Sequence, residues 1–320
     1  MENLLRAWRE FKRGKSAKLE TQQFAFALAD NLLTLRQELI AGQYRPDPYQ
    51  RFLIRDPKLR VIHKASVRDR VLHQALFRCL YPPFNQRFID DSYSCRDNKG
   101  THRAVSRLEQ FCRKASDNNQ REVWILKCDI KKYFDSVNQR ILFSLISDQV
   151  TDHQTLELVR IIIKSFATSI GRGLPLGNVT SQLFANIYLN PFDQFVKHKL
   201  KQKFYIRYCD DFVLVSNYRN ELLNLIKPMS NFLQDNLDLE LHPHKISVRK
   251  WRQGIDFLGY ITRPYYRILR PKTGKRFFRR IQKEQITEAT RQAYLGVLSH
   301  CYSHKIRVEL KHLTIPASLL

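Results

Sequence analysis

The 320-residue chain contains no run of 18 or more consecutive apolar residues, so no stretch of it is a candidate for crossing a bilayer as a helix. Its opening residues, Met1-Glu-Asn-Leu-Leu-Arg-Ala-Trp-Arg-Glu, carry charge throughout and lack the continuous apolar core of a secretory signal. No Cys-x-x-Cys occurs, and Cys79, Cys95, Cys112, Cys128, Cys209 and Cys301 have no histidine at zinc-finger spacing. They are scattered through apolar segments, which favours reduced, mostly buried thiols in a cytoplasmic protein over three disulfides. There is neither an internal repeat nor a low-complexity tract. Acidic residues are scarce: 30 Asp and Glu stand against 55 Lys and Arg, a formal charge of +25 and a pI near 10.0. So large an excess predicts a polyanionic partner, nucleic acid first and an anionic membrane surface second. The positive charge is not gathered on one amphipathic helix, which counts against the membrane. A chain of this length buries a substantial core in one large or two modest domains.

Residues 1 to 43 place apolar side chains at helical spacing and predict two amphipathic helices ended by Gly42. Arg55 to His63 reads as a turn into a strand carrying Lys58, Arg60 and Lys64. Such a basic hairpin either holds a triphosphate at the edge of an active site or is an edge strand protected by charge. Ser66 to Leu80 predicts a helix, stopped by Tyr81-Pro-Pro-Phe, and Ser92 to His102 a polar loop before the next helix. Gly171 to Gln182 is a Gly/Pro loop opening a long helix, with Thr180 or Ser181 as its cap. A loop of that kind receives a phosphate or a base closely, or is a plain left-handed turn. Further on, Leu222 to Leu233 predicts a helix, Leu237 to Leu241 an alternating strand, His242-Pro-His-Lys245 a turn, and Gly254 to Tyr260 a tight hairpin. His242 and His244 have no cysteine or carboxylate partner in view. From Arg249 onward, 16 Lys and Arg stand against 4 Asp and Glu, interleaved with Tyr265, Tyr266, Phe277 and Phe278. That mixture suits a surface tracking a nucleic-acid backbone.

Two stretches carry candidate chemistry. Phe204 to Ser216 has β-branched and aromatic runs on either side of Asp210-Asp211, a hairpin with the aspartates at its tip. Adjacent carboxylates repel. Either water solvates them in an ordinary turn, or a hard divalent cation binds them together with substrate phosphates. Upstream, Val123 to Asp135 reads as an apolar strand running into Asp129, with a helix just after Asp135. Ser136-Val-Asn-Gln139 matches a capping box, so Asp135 and Ser136 have a structural task. Asp129 has none, and a buried strand-end carboxylate is costly unless exposed or metal-bound. Asp129 with Asp210 makes a candidate two-metal site, one ion activating a 3′-hydroxyl and the other holding a triphosphate.

Asp129-Ile-Lys-Lys-Tyr-Phe-Asp, Leu174-Pro-Leu-Gly-Asn-Val-Thr-Ser-Gln, Tyr208-Cys-Asp-Asp, Lys245 and Phe257-Leu-Gly-Tyr resemble, in order and spacing, the motifs of reverse transcriptases. The resemblance covers roughly Arg51 to Lys305. It implies an α+β, right-hand polymerase fold: an N-terminal helical extension over 1–50, fingers and palm over 51–262, and a short, basic helical thumb over 263–320. By resemblance, Asp129, Asp210 and Asp211 are the carboxylates for two Mg²⁺ ions, with Mn²⁺ a substitute and the Ile130 carbonyl a further ligand. Phe134 resembles the steric gate that excludes a ribose 2′-hydroxyl. Arg60 and Lys58 match residues that meet the incoming dNTP, Leu176 and Gly177 the loop near the nascent pair, and Lys245 the lysine near the leaving pyrophosphate. Phe257, Leu258 and Gly259 resemble the primer grip. The implied partners are a template RNA, a cDNA primer and product, and dNTPs.

One departure narrows the resemblance. Most members carry Gln-Gly where this chain has Leu176-Gly177, and Ser-Pro where it has Ser181-Gln182. The aliphatic-Gly start is similar to the enzymes of diversity-generating retroelements, as are Tyr266 to Arg270 and Ala293 to His300. That group makes errors at template adenines and works with a small accessory protein. No maturase, DNA-binding or endonuclease stretch follows the thumb-like segment, which counts against a self-mobile intron protein. The alternatives are a phage-defence reverse transcriptase and a catalytically silent RNA-binding protein on a polymerase fold. The second predicts eroded carboxylates, and all three are present.

Overall fold

The computed structural model describes residues 1–55, 59–283, 288–303 and 307–308, so Lys58 and most residues beyond 303 lie outside the described residues. In chain order the elements are α1 (Glu2–Phe11), α2 (Leu19–Phe26), α3 (Leu28–Ile40), β1 (Gln50–Ile54), β2 (Arg60–Lys64), α4 (Val67–Arg87), α5 (Thr101–Ala115) and β3 (Trp124–Asp129). There follow α6 (Tyr133–Ser136), α7 (Gln139–Ser147), α8 (His153–Lys164), α9 (Val179–Gln194), β4 (Tyr205–Tyr208), β5 (Asp211–Ser216) and α10 (Arg219–Leu237). The last are β6 (Ser247–Lys250), β7 (Ile255–Phe257), β8 (Tyr260–Arg263), β9 (Tyr266–Leu269), α11 (Pro271–Lys283) and α12 (Glu288–Leu298). Helices and antiparallel sheets mix along the chain, an α+β architecture. No described helix is long and apolar enough to cross a membrane.

The chain forms two compact units interleaved along the sequence. Unit 1 comprises Met1–Asp90, Ile130–Lys201 and Met229–Leu241; unit 2 comprises Asp91–Asp129, Gln202–Pro228 and His242–Leu320. In unit 1, α1 packs on α4, and Leu4, Trp8, Phe11, Leu32, Leu35, Val71 and Leu72 close a single core. The expected two N-terminal helices are three, because the backbone breaks at Ala27 (φ −112°, ψ 42°). Gly42 closes them as expected, at φ +66°.

Helix α4 starts as read, with Ser66 Oγ accepting the Asp69 N–H, but it does not stop at Tyr81. It runs through Pro82 and Pro83 to Arg87. Each proline removes one backbone donor, at a cost of ~3 kcal/mol in a free helix. Leu80, Tyr81 and Phe84 are buried, Tyr81 stacks on Phe77 at 4.8 Å, and the helix packs on α9. At ~2 kcal/mol for each buried large side chain, that packing offsets the loss. Leu237 to Leu241 is not a strand either. Leu237, Leu239 and Leu241 alternate into the core, yet the Asp238 and Leu239 N–H groups donate back to carbonyls of α10, and only an isolated bridge joins Ile130 to Leu241.

Unit 2 is built on the antiparallel sheet β4-β5-β3-β6 and the meander β7-β8-β9. Strand β3 is central, flanked by β5 and β6, which explains its run of apolar residues. Leu108, Phe111 and Cys112 of α5, Ile125, Val213, Trp251, Phe257, Tyr260, Tyr294 and Leu298 share one core. The segment Tyr266 to Leu269, read as part of a helical thumb, is strand β9, paired with β8. All six cysteines are free thiols, though only Cys112 and Cys128 are fully buried, while Cys79 and Cys95 are exposed.

Candidate functional site

Strand pairing brings the carboxylates of unit 2 together. Asp129, the last residue of β3, lies directly opposite Asp211, the first residue of β5. Tyr208 pairs with Asp211, so Cys209 and Asp210 form a two-residue hairpin turn. Cys209 takes φ +56°, the left-handed conformation that a primed turn needs at its first position. A fully buried arginine braces it: the Arg207 guanidinium donates to the Cys209 carbonyl (3.0 Å) and to Ser92 Oγ (3.2 Å). The hairpin was legible in the alternating sequence; the brace was not.

Like charges facing each other across strands destabilise a sheet, and the electrostatics show it. Burial first, then the Asp129 charge, holds the Asp210 carboxyl above its ordinary range. Burial pushes Asp211 up to about 6 even though the Lys127 ammonium opposes the shift. Lysines supply the counter-charge. Lys245 Nζ donates to Asp129 Oδ1 at 2.7 Å. It is carried there by the 3₁₀ turn Pro243–Lys245, whose preceding residue, His242, donates its N–H to the Asp129 carbonyl at 2.8 Å. Lys127 lies 3.1 Å from Asp211 Oδ2 and also donates to the Asp256 carbonyl at 2.8 Å. Sequence reasoning passed over Lys127. Its signal was an alternation of two, which puts Lys127 and Asp129 on one face of β3.

The donor set fits a hard divalent cation. Asp211 Oδ1 is buried with no hydrogen-bond partner, and three carboxylates face two ammonium groups, so negative charge is left over. Among the described residues no three His, Cys, Asp or Glu side chains form a ready-made cage, and Asp129 and Asp211 each carry a lysine partner. The His242 ring caps the turn by accepting the His244 N–H. A cavity of about 520 Å³ opens beside Asp129, lined by Lys127, Lys245, Arg249 and Arg263. At the next hairpin, Leu258 (φ +50°) and Gly259 (φ +92°) make the turn, and Phe257 is buried in the core below it.

The remaining candidates lie in unit 1. Strand β2 starts at Arg60, which is exposed, while Lys64 at its far end is paired with Glu20. The His63 N–H donates to the Leu176 carbonyl at 3.0 Å, tying the Gly/Pro loop to the strand. Gly177 sits at φ +120°, and a Cβ there would come within 2.9 Å of the Ile62 methyl, so only glycine fits. On its other side the loop is held by the Leu174 N–H on the Phe134 carbonyl, at 2.8 Å. The Phe134 ring is half-buried, in edge contact with Tyr133. Ile130 is buried and forms the bridge to Leu241.

Two caps differ from expectation. Asn138, not Ser136, caps α7 by accepting the Arg140 and Ile141 N–H groups, and Ser136 ends the short α6. Helix α9 begins after Asn178, with Thr180 and Ser181 buried inside it and Thr180 bonded to His73 at 3.1 Å. Serine and threonine cap only where the chain is still extended, and at these positions it is already helical.

A family model described as reverse transcriptase (RNA-dependent DNA polymerase) matches residues 54–262. Protein YkfC of Escherichia coli (strain K12) is 27% identical over 273 residues, 73% of this chain and 71% of that protein. The group II intron-encoded protein LtrA of Lactococcus lactis subsp. cremoris is 28% identical over 177 residues, 52% of this chain but 28% of its own length. The putative COX1/OXI3 intron 2 protein of Saccharomyces cerevisiae is 20% identical over 318 residues, and the match spans 36% of it. Among solved structures, apo telomerase from Candida tropicalis, truncated from its C-terminal domain, superposes with a TM-score of 0.51 at 14% identity. That superposition covers 75% of this chain and 60% of the telomerase, and it speaks to the fold alone.

Proposed function

Because this chain belongs to the reverse transcriptase family, an RNA-directed DNA polymerase family, we propose that it copies a retroelement template RNA into cDNA by two-metal nucleotidyl transfer. The carrying observation is the meeting of Asp129 and Asp211 across β3 and β5, with Asp210 in the adjoining turn and a lysine on each side. Asp129, Asp210 and Asp211 would hold Mg²⁺, with Mn²⁺ able to substitute. Bound there, the ions would supply positive charge where negative charge develops on the attacking 3′-oxygen and the triphosphate. Lys127 keeps Asp211 paired and anchored to β7. Lys245 shields Asp129 until substrate arrives and then stands as a donor toward the leaving pyrophosphate. Arg60 meets the triphosphate, and the Phe134 ring excludes a 2′-hydroxyl.

The finer reading is an error-prone enzyme of the diversity-generating type, supported by Leu176 in place of a glutamine. An aliphatic side chain offers no amide to hydrogen-bond near the nascent pair, and hydrogen bonds to substrate are what strong selectivity is built from. A small accessory protein and a cytoplasmic site of action belong to this reading. The intron-encoded relatives favour a second one, an intron-type enzyme copying its template evenly. The test is cDNA synthesis on a primed RNA with Mg²⁺ and dNTPs, followed by sequencing. Errors concentrated opposite template adenines, reduced in Leu176→Gln, support the diversity-generating reading. Few or evenly spread errors support the intron-type enzyme, and no cDNA with any template overturns both.

A further inference from the structure

In unit 1, the segment that carries the Phe134 ring is laced to the Gly/Pro loop by a series of hydrogen bonds. The Phe134 carbonyl accepts the Leu174 N–H and the Val137 carbonyl the Gly173 N–H, each at 2.8 Å. The Gln139 N–H donates to the Gly171 carbonyl at 2.9 Å, and Thr168 Oγ1 donates to the Asp135 carbonyl at 2.8 Å. Gly173, at φ +108°, permits the close approach, since a Cβ there would come within 2.7 Å of Thr168 Oγ1. Ring and loop are thereby one piece, and its place depends on how that piece is tied to the rest of the unit.

Asp238, the residue after the last turn of α10, makes such a tie. Its carboxylate receives a bond from each side of the lacing: Asn138 Nδ2 donates to Asp238 Oδ2 at 3.0 Å, and the Arg172 guanidinium forms an ion pair with the same oxygen. Asn138 and Arg172 also face each other in an isolated antiparallel bridge. Both side chains are engaged elsewhere as well. Asn138 Oδ1 caps α7, and Arg172 reaches the Ser136 carbonyl at 3.4 Å. Tyr188 of α9, fully buried, runs parallel to this connection, accepting the Asn138 N–H at 3.1 Å and donating to the Leu237 carbonyl. The Asn138 amide first, and the Arg172 guanidinium with it, hold the Asp238 carboxyl below its ordinary range, so it is charged at neutral pH.

The helix end itself does not ask for an aspartate. Asp238 sits at φ +52°, the left-handed conformation in which helices commonly end and where glycine is the usual residue. Its ion pair is no anchor for the fold either: the Arg172 and Asp238 side chains are each 38% exposed, and pairs so open to solvent add little stability. A side chain that the backbone disfavours and the fold hardly needs is left with the two bonds it makes.

From this geometry we infer that Asp238 is a positioning residue for sugar selection: through Asn138 and Arg172 it fixes the Phe134 ring together with the Leu176–Gly177 loop. The inference rests on the reading of Phe134 as the ring that excludes a 2′-hydroxyl. A ring rejects one extra oxygen only while it cannot retreat, and a displacement of ~1 Å is enough to change reactivity strongly. Without the pin the lacing stays intact but gives way as a piece. That admits a ribonucleotide and leaves a deoxyribonucleotide, which does not press on the ring, unaffected.

Asp238→Gly is the decisive variant, because it deletes the carboxylate at a backbone position that suits glycine. The measurement is kcat and KM for a dNTP and the matching rNTP on a primed RNA template, beside the melting temperature. The rNTP kcat/KM should rise by about tenfold, the worth of a hydrogen bond to a charged group, while the dNTP values and the melting temperature hold. Asp238→Asn, which keeps an acceptor for Asn138 and Arg172, should recover most of the selectivity. In a Phe134→Ala background Asp238→Gly should add nothing, since both act through one ring. An unchanged ratio in Asp238→Gly would overturn the inference, as would equal losses for both nucleotides or an additive effect in Phe134→Ala. If Phe134→Ala by itself leaves the ratio unchanged, the reading of the ring falls and the inference with it. That result is distinct from a ratio that responds to Phe134→Ala and not to Asp238→Gly.

Discussion

Unit 2 gathers Asp129, Asp210, Asp211, Lys127 and Lys245 into half-buried charge, whereas unit 1 gathers Phe134, Leu176 and Gly177 into a shape held by backbone hydrogen bonds. The first arrangement is under electrostatic stress: carboxyls held above their ordinary range, a carboxylate oxygen with no donor, like charges across a strand pair. The second is under steric constraint, with one glycine admitting a strand methyl and one backbone hydrogen bond tying Phe134 to the loop. A cation would relieve stress of the first kind; constraint of the second kind would act on the shape of a substrate. On the proposed function this is a division of labour, in which substitutions in unit 2 are expected to change rate and substitutions in unit 1 to change selection.

The largest effect should come from Asp210→Asn. Loss of one anionic ligand is expected to slow DNA synthesis on the order of 10³-fold. It also removes a carboxylate that burial and Asp129 disfavour, so the melting temperature in EDTA should hold or rise. A large fall in melting temperature would mean that the aspartate is structural.

Acid should then separate the units by sign. Burial lowers the His73 imidazole of unit 1 to about 4 from 6.5. The unfolded chain therefore binds the proton more tightly, and stability falls as pH drops through that window, by on the order of 3 kcal/mol at pH 4. Asp211 of unit 2 is raised from 3.8 to about 6, so the folded state binds the proton more tightly and gains on the order of 2 kcal/mol over the same descent. Hydrogen exchange between pH 7 and 4, in EDTA, should show α4 and α9 losing protection and β3 and β5 keeping it. His73→Asn should abolish most of the loss. Parallel changes in both units would break the comparison.

The smallest effect is the sharpest probe of Lys127. Lys127→Met leaves Asp211 without its counter-ion and β7 without its tie to β3, and should lower kcat by about tenfold, as expected of a lost charge-assisted contact. The preference for dNTP over rNTP should be untouched, as single-turnover rates with each nucleotide would show.

Much of unit 2 was legible because its signals are local. An apolar strand ending in Asp129 and a hairpin around Asp210 follow from alternation and turn chemistry. Lys127 was overlooked because an isolated lysine in an apolar strand gains its meaning only when the register sets Asp211 diagonally across from it. Arg207 was overlooked for the same reason, since its partners Ser92 and Cys209 become neighbours only once the hairpin packs. The errors in unit 1 are of another kind. Pro82 and Pro83 signal a stop that the packing of Leu80, Tyr81 and Phe84 overrides, and Leu237, Leu239 and Leu241 mimic a strand while their backbone serves a helix end. Local propensity was outvoted by burial in both.

The most direct test of the division is nucleotide selectivity in Phe134→Ala, measured as kcat/KM for a dNTP against the matching rNTP on a primed RNA template. The ratio should fall by about 10²-fold while the dNTP rate stays within a few-fold of the parent enzyme. An unchanged ratio, or a dNTP rate that collapses as in Asp210→Asn, would contradict it.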